Sequence, residues 1–275
     1  MSKSLSVITI NYNDAEGLLK TIDSVLIQDF KDFEYIIIDG GSTDESAAII
    51  EQHKNQIDYW VSEPDKGIYN AMNKGLKIAK GDHVLFLNSG DFLHNKNVLK
   101  QAFIAITPQD DLVYGDVVLR NEKIGSERTQ VHPETLPFSY FYNKTICQQA
   151  CFIKRSLFED VFYFNEDYKI SADWEFLIYA IYIKKVNYKK IDILISVYNM
   201  EGVSSTDEYR EIAKKEREQT IETYFPLFKN DYKELSGYSS YRFKELKEIE
   251  RSPFLRKLVS IFFKCCLFVL PQRKN

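Results

Sequence analysis

Three polar loops in the first 91 residues gather side chains that could do chemistry. They are DGGSTDES from Asp39 to Ser46, EPDKGIYNAMNKG from Glu63 to Gly75, and FLNSGD from Phe86 to Asp91. The first and last directly follow the short apolar runs YIIID and HVLFL, which places their carboxylates at the carboxyl ends of buried strands. Open α/β sheets bind ligands at that edge. A carboxylate there can accept a hydrogen bond from a ligand or hold a hard divalent cation beside substrate oxygens, and Asp91 is the residue placed for the second task. Asp65, Lys66 and Gly67 stand at a helix start, a suitable lining for an anionic, polyhydroxylated ligand, with Lys66 able to counter phosphate charge. Downstream, Asp173 in SADWEF follows the loop YKISA and opens a helix. Its carboxylate can project into a cleft beside Trp174 as a general base.

The elements that must position these residues are visible as periodicity. Val7 to Asn11 reads as a buried strand, and Leu18, Leu19, Ile22, Val25 and Leu26 then form the stripe of a helix lying on a sheet. A second strand, Tyr35 to Ile38, ends at Asp39. Gly40 and Gly41 permit a tight turn, and Ser42 with Glu45 has the spacing of a capping box for the next helix. Strand three is expected over Ile57 to Ser62, helix three over Ile68 to Ala79, and strand four over His83 to Leu87. This short-period alternation predicts a parallel sheet between helices. Beyond Asp91 the reading continues with a helix over Val98 to Ile106, strands over Leu112 to Leu119 and Ala150 to Lys154, and an aromatic-rich helix over Ser171 to Ile183. Asp207 to Tyr224 is a charged, helix-prone connector to a basic tail.

Length and charge bound what such a chain can be. With 275 residues and 44% hydrophobic content it can bury one sizeable core and carry an extension. Its formal net charge of -4 gives no overall electrostatic footprint for nucleic acid. Residues 241–275 differ, with nine Lys/Arg against three Glu, a local +6 that leaves -10 elsewhere. In Phe254 to Leu270, the polar Arg256, Lys257, Ser260 and Lys264 fall on one narrow face of a helical wheel. Such a helix is suited to lie in the interface of an anionic membrane; packing on the catalytic domain or on a second copy is the alternative. Four cysteines without disulfide-like spacing, and a first segment, SVITINY, that reads as a strand, point to a cytoplasmic protein, peripheral at most on the membrane.

The three loops, in this order and spacing, resemble the donor-binding half of a family 2 glycosyltransferase with the GT-A fold, and the resemblance covers roughly Ser4 to Ser205. It implies a mixed, mainly parallel sheet flanked by helices over residues 1–205, followed by a C-terminal helical extension over 206–275. It implies transfer of a sugar from a UDP-sugar to a hydroxyl of a growing glycan, lipid-linked if the tail meets a membrane, with inversion at the anomeric carbon. Asp39 would accept the uracil imide N–H, with Tyr12 flanking the base. Ser42, Asp65, Lys66, Gly67, Asn88 and Gln149 would complete the nucleotide-sugar site, and Asp91 would hold Mn²⁺ or Mg²⁺. Asp173 matches the position of the acid that deprotonates the acceptor, and MEGVSS at Met200 to Ser205 resembles a loop that folds over bound donor.

The chain also departs from the family pattern. Gly90 stands where an adjacent acid is frequent, Asn70 where an acid is common, and Gln148 where a His is frequent. Each site residue has a local alternative as well: Asp39 and Ser42 shaping a turn, Asp91 and Asp173 capping helices, Gln149 buried against the sheet, and MEGVSS a surface turn. Two other functions compete. A nucleotidyltransferase shares the nucleotide-binding sheet but needs a glycine-rich basic loop where this chain has NYNDAEG. A noncatalytic nucleotide-sugar-binding protein is favoured by the three departures and opposed by Asp39, Asp91 and Asp173.

Overall fold

The structure, a computed structural model, describes residues 4–142, 144–202, 207–237 and 241–269. Residues 1–226 form one compact unit and 227–275 a second. In the first, β1 (Leu5–Asn11) and β2 (Phe33–Asp39) are buried on both faces, which is why they read as continuous apolar runs rather than as alternation. They pair in parallel, with Asn11 opposite Asp39, and β3 (Tyr59–Ser62) joins β2 so that Ser62 lies opposite Asp39. On the other side of β1, β4 (His83–Phe86) is also parallel.

The remaining strands are β5 (Phe92–Leu93), β6 (Leu112–Asn121), β7 (Ser126–Gln130), β8 (Cys151–Lys154) and β9 (Tyr188–Asn199). They extend the sheet to the order β3-β2-β1-β4-β8-β6-β9-β5, with β7 paired to β6. Strand β8 runs against β4 and β6, β5 against β9 and β7 against β6, whereas β6 and β9 are parallel. The sheet is therefore mixed and mainly parallel, as expected. The carboxyl ends of β1, β2, β4 and β9 share one edge.

Helices cover the sheet: α1 (Ala15–Leu26), α2 (Ser46–His53), α3 (Ile68–Ile78), α4 (Val98–Ala105), α5 (Leu157–Asp160), α6 (Ala172–Tyr182) and α7 (Asp207–Tyr224). Leu18, Ile22 and Val25 of α1 are buried in the same core cluster as Val7, Tyr35, Leu85 and Phe152. The expected capping box does not form. Helix α2 begins at Ser46 with no side-chain cap from Glu45, because Ser42 turns back to Asp39 while Asp44 accepts the N–H groups of Ser46 and, across the edge, of Ala15.

Three strands escaped the sequence reading. β7 is a polar edge strand, β5 is only two residues long, and in β9 the run KKID breaks the apolar signal. Lys190 sits inside β9 because it pairs with Asp116 on the neighbouring strand at 3.4 Å.

The second unit contains α8 (Lys229–Gly237), α9 (Tyr241–Glu250) and α10 (Pro253–Val269). No residue of α10 is buried, and Phe254, Phe262 and Phe268 are among its exposed side chains. Among the described residues no helix is long and apolar enough to cross a membrane.

Candidate active site

At the end of β2 the Asp39 carboxylate is fully buried and accepts four hydrogen bonds. Asn11 Nδ2 (2.6 Å) and Ser42 Oγ (2.5 Å) donate to Oδ1; Ser42 N (2.9 Å) and Ser62 Oγ (2.6 Å) donate to Oδ2. Burial alone would raise its pKa, but these donors, Ser42 and Ser62 foremost, more than offset it and hold the acid below the usual carboxylate range. The next residues form a shelf. A Cβ on Gly40 would lie 2.5 Å from Asp65 Oδ2 and 3.3 Å from Tyr12 Cδ2, so both side chains close on bare backbone that only glycine allows. Tyr12 is 66% exposed there, leaving its ring available to a planar group. Gly41, at φ +79°, makes the turn against Pro64.

The EPDKG loop leads into α3 through Gly67, whose φ of 120° carries the chain into the helix start. Asp65 Oδ1 accepts the Gly67 N–H at 2.8 Å, and Lys66 is exposed. Asn70, where an acid was expected from the resemblance, donates instead to Glu166 Oε2 at 2.8 Å, while Asn73 donates to Glu166 Oε1 at 2.9 Å. An acid is thus present beside position 70, delivered by another loop.

After β4 the chain turns through Asn88 to Asp91. Thr21 of α1 fixes this turn by donating to the Asp91 carbonyl at 2.6 Å and accepting the Gly90 N–H at 3.1 Å. Asp91 is 3% exposed; the backbone N–H of Asn199, at the end of β9, donates to its Oδ1 at 2.8 Å, and the Gln149 side chain also bonds to the carboxylate. Burial pushes its pKa up to about 8, and the nearby charge of Asp14 acts in the same direction. Gly90 has φ +87°, and a Cβ there would lie 3.4 Å from Asp14 Oδ2. Asp14 therefore brings a carboxylate to the side of the turn where the adjacent acid is missing. It also caps α1 through Gly17 N and accepts from Ser89 Oγ at 2.8 Å. A polar cavity of about 210 Å³ borders Gly90 and is lined by Asp14, Lys20, Arg120, Asn199 and Glu201 among others.

Gln149 is buried, as one of its two readings held, and its side chain bonds to Asp91. Its Oε1 accepts the Cys147 thiol at 3.0 Å while its amide reaches Asp91. Cys147 is held in turn by His132, whose Nε2 accepts the Cys147 N–H at 3.2 Å. The Gln148 side chain makes a 3.7 Å contact from Nε2 to Met72 Sδ.

Asp173 lies in the first turn of α6, half-buried, and accepts the Tyr69 hydroxyl at 3.1 Å. Burial raises its pKa, opposed by its helix N–H contacts and by the charge of Arg217. The Cys147 thiol feels both Asp91 and Asp173, so the two acids flank one point of the sheet edge. The structure thus brings Tyr12, Asp65 and the Gly40 backbone together beside Asp39 and Ser42, Asp91 to Gln149, and Asp173 to Tyr69. Part of MEGVSS, residues 203–205, lies outside the described residues.

A sheet edge with acids on successive strand ends is common to many nucleotide-dependent enzymes; the sequence match decides among them. The Glycosyl transferase family 2 model matches residues 6–162, more than half the chain. The chain belongs to glycosyl transferase family 2. This family 2 member is 32% identical over 216 residues to a PGL/p-HBAD biosynthesis glycosyltransferase of Mycobacterium bovis, covering 76% of this chain and 82% of the relative. It is 30% identical over 187 residues to the poly(ribitol-phosphate) beta-N-acetylglucosaminyltransferase TarS of Staphylococcus aureus, covering 64% of this chain but 32% of TarS. Among solved structures, TarS 1–349 in complex with UDP-GlcNAc superposes with a TM-score of 0.60 at 20% identity, over 86% of this chain and 73% of that one. The mannosyltransferase PcManGT from Pyrobaculum calidifontis, in complex with GDP-Man and Mn²⁺, gives 0.63 at 15% identity, over 97% and 81%. The fold of this family 2 chain is accordingly of the GT-A type.

Sequence reasoning missed Asn199, Tyr69, Glu166 and Asp14. Tyr69 stands in a segment that was read, GIYNAM, whereas Glu166 stands in FNED, which was not, and their aromatic or acidic type was the available signal. Asn199 acts through its backbone, for which residue type gives no signal.

Proposed function

We propose that this family 2 enzyme transfers a hexosyl residue from a UDP-sugar to a hydroxyl of a growing glycan in one inverting displacement. Tyr12 stacks on the base over the Gly40 shelf. Asp39 accepts the uracil imide N–H when the Ser42 or Ser62 hydroxyl turns away, since all its present acceptor positions are taken by protein. Lys66 and the helix start at Gly67 meet the donor's negative charge.

Asp173 takes the proton from the acceptor hydroxyl, whose oxygen attacks the anomeric carbon as the bond to UDP breaks. Tyr69 holds the carboxylate toward the cleft. The observation that carries this reading is Asp173 itself, a half-buried carboxylate at a helix start, its pKa raised by burial, on the same sheet edge as Asp39 and Asp91.

The residues present fit a divalent cation, Mn²⁺ or Mg²⁺, at Asp91. Its carboxylate is buried with a like charge, Asp14, nearby, a setting that an added cation relieves. Among the described residues no group of three or more His, Cys, Asp or Glu could enclose an ion, so Asp91 would hold it with the donor's diphosphate. When bound, the cation supplies Lewis-acid stabilisation of the departing diphosphate.

The exposed apolar and basic side chains of α10 support a cytoplasmic enzyme resting on an anionic membrane surface, where a lipid-linked acceptor would be presented. A thermal-shift screen of UDP, GDP and their sugars, with and without Mn²⁺, tests the donor assignment, because a ligand that binds the native state raises its melting temperature. The largest shift should come from a UDP-sugar with metal; a preference for guanosine nucleotides would refute it.

A further inference from the structure

Helix α7 lies wholly beyond residues 6–162, the part that carries the family match, yet two adjacent residues on it converge on the segment that bears Asp173. Glu216 is buried, and its carboxylate accepts three consecutive backbone N–H groups: Lys169 at 2.6 Å on Oε1, Ile170 at 3.1 Å and Ser171 at 2.9 Å on Oε2. Ser171 is the residue from which α6 starts, and its carbonyl accepts the Glu175 N–H at 2.8 Å. The same seam continues with Ser171 Oγ donating to the Ala213 carbonyl at 3.3 Å and with Tyr168 and Thr220 hydroxyls 3.1 Å apart. Backbone N–H groups before a helix have no intrahelical partner, so a buried carboxylate that takes three of them fixes the loop and the first turn together.

Arg217 follows. Its guanidinium lies 5.3 Å from the ring centre of Trp174, which is itself fixed by donating Nε1–H to the Phe141 carbonyl at 3.0 Å. Trp174 follows Asp173 on α6, and the positive charge seated on its ring acts on the Asp173 carboxyl, lowering its pKa.

We propose that Glu216 and Arg217 are positioning residues for Asp173: Glu216 sets where its carboxylate stands, and Arg217 favours its charged form. This rests on the reading of Asp173 as the base. Among the described residues, the groups on neighbouring elements that bear on the Asp173 carboxylate include Tyr69 from α3, Cys147 before β8, Cys151 at its start, and Arg217 from α7. On its own helix, Glu175 bonds to Asn165 and feels the like charge of Glu216. Arg217 is the one cation in that set, so removing it has a definite sign. The Asp173 carboxyl must then titrate at higher pH, whereas loss of packing alone would admit water and lower its midpoint, because burial is what raises it.

The test uses full-length protein labelled with ¹³C in aspartate carboxyls, with the Asp173 signal assigned by its absence in Asp173→Asn. In Arg217→Met, which keeps the stem on Trp174, the Asp173 midpoint should rise, and Arg217→Lys should return it toward wild type. In Glu216→Gln, amide exchange at 169–171 should quicken while UDP still raises the melting temperature by the wild-type amount. UDP release from UDP-glucose, UDP-galactose or UDP-N-acetylglucosamine, with water as acceptor, should fall at least tenfold in that variant, the scale on which misplacing a reacting group acts. An unmoved midpoint in Arg217→Met, or wild-type exchange at 169–171 in Glu216→Gln, overturns the proposal. Undiminished UDP release in Asp173→Asn would instead overturn the assignment of the base and leave the two contacts as architecture.

Discussion

The Asn199 N–H and the Asp91 carboxylate meet at 2.8 Å, so the end of β9 closes on an acid 108 residues earlier in the chain. Because the contact is to backbone, it survives substitution of Asp91 by Asn, whose side-chain oxygen can still accept it. Asp91→Asn thus removes the charge that a bound cation would meet, with the hydrogen bond kept. Wild-type UDP affinity should be higher with Mn²⁺ than without, and calorimetric titration of the variant should show most of that difference gone.

Restoring the acid absent at position 90 should not strengthen the site. Gly90 has φ +87°, and a Cβ there meets Asn199 Nδ2 at 3.1 Å and Asp14 Oδ2 at 3.4 Å. Gly90→Asp adds backbone strain of about 1 kcal/mol or more and a like charge beside Asp14. The melting temperature should fall, with no gain in Mn²⁺-dependent UDP affinity.

Asp39 serves stability as well as the ligand. Asp39→Ala leaves Asn11, Ser42 and Ser62 donors without their acceptor, and denaturation at pH 7 should show a loss of about 1–3 kcal/mol, together with weaker UDP binding. The folded pKa lies below the unfolded value of 3.8, so the charged form's contribution is present above that pH and is lost as pH falls through the folded pKa. The gap between wild type and variant should therefore narrow in acid.

Glu175 behaves oppositely. It is buried, its Oε2 has no hydrogen-bond partner among the described residues, and burial pushes its pKa up from 4.5 to about 7. The folded state holds the proton more tightly than the unfolded chain, so wild-type stability declines as pH rises from about 4.5 to about 7. Glu175→Gln should raise the melting temperature at pH 8 and change it little at pH 4; an equal effect at both would show that the charge is not what costs stability.

Ending the chain before Pro253 removes Arg256, Lys257 and Lys264 with the exposed Phe and Leu face of α10. The shortened protein should fold, bind UDP and no longer sediment with phosphatidylserine vesicles. Each basic residue contributes on the order of 1 kcal/mol near such a surface. Salt should weaken full-length binding without abolishing it, since apolar burial is not screened.

Much of this was legible because strands buried on both faces, such as those ending at Asp39 and before Asp91, announce themselves as apolar runs, and polar residues just beyond them fall at one edge. Ser42 shows where local rules stop: its spacing to Glu45 spells a cap, but a buried carboxylate three residues back takes the hydroxyl instead. Glu216 was read as one charge on a solvated helix. Its role depends on which loop that helix packs against, and charge patterning along α7 does not carry that.

The measurement closest to the central claim compares Asp173→Asn with wild type, using the UDP-sugar that gives the largest thermal shift. The variant should bind that donor with near-normal affinity in Mn²⁺ while UDP release falls by about 10² or more. Release close to the wild-type rate, with donor binding intact, would contradict Asp173 as the base and the single-displacement mechanism built on it.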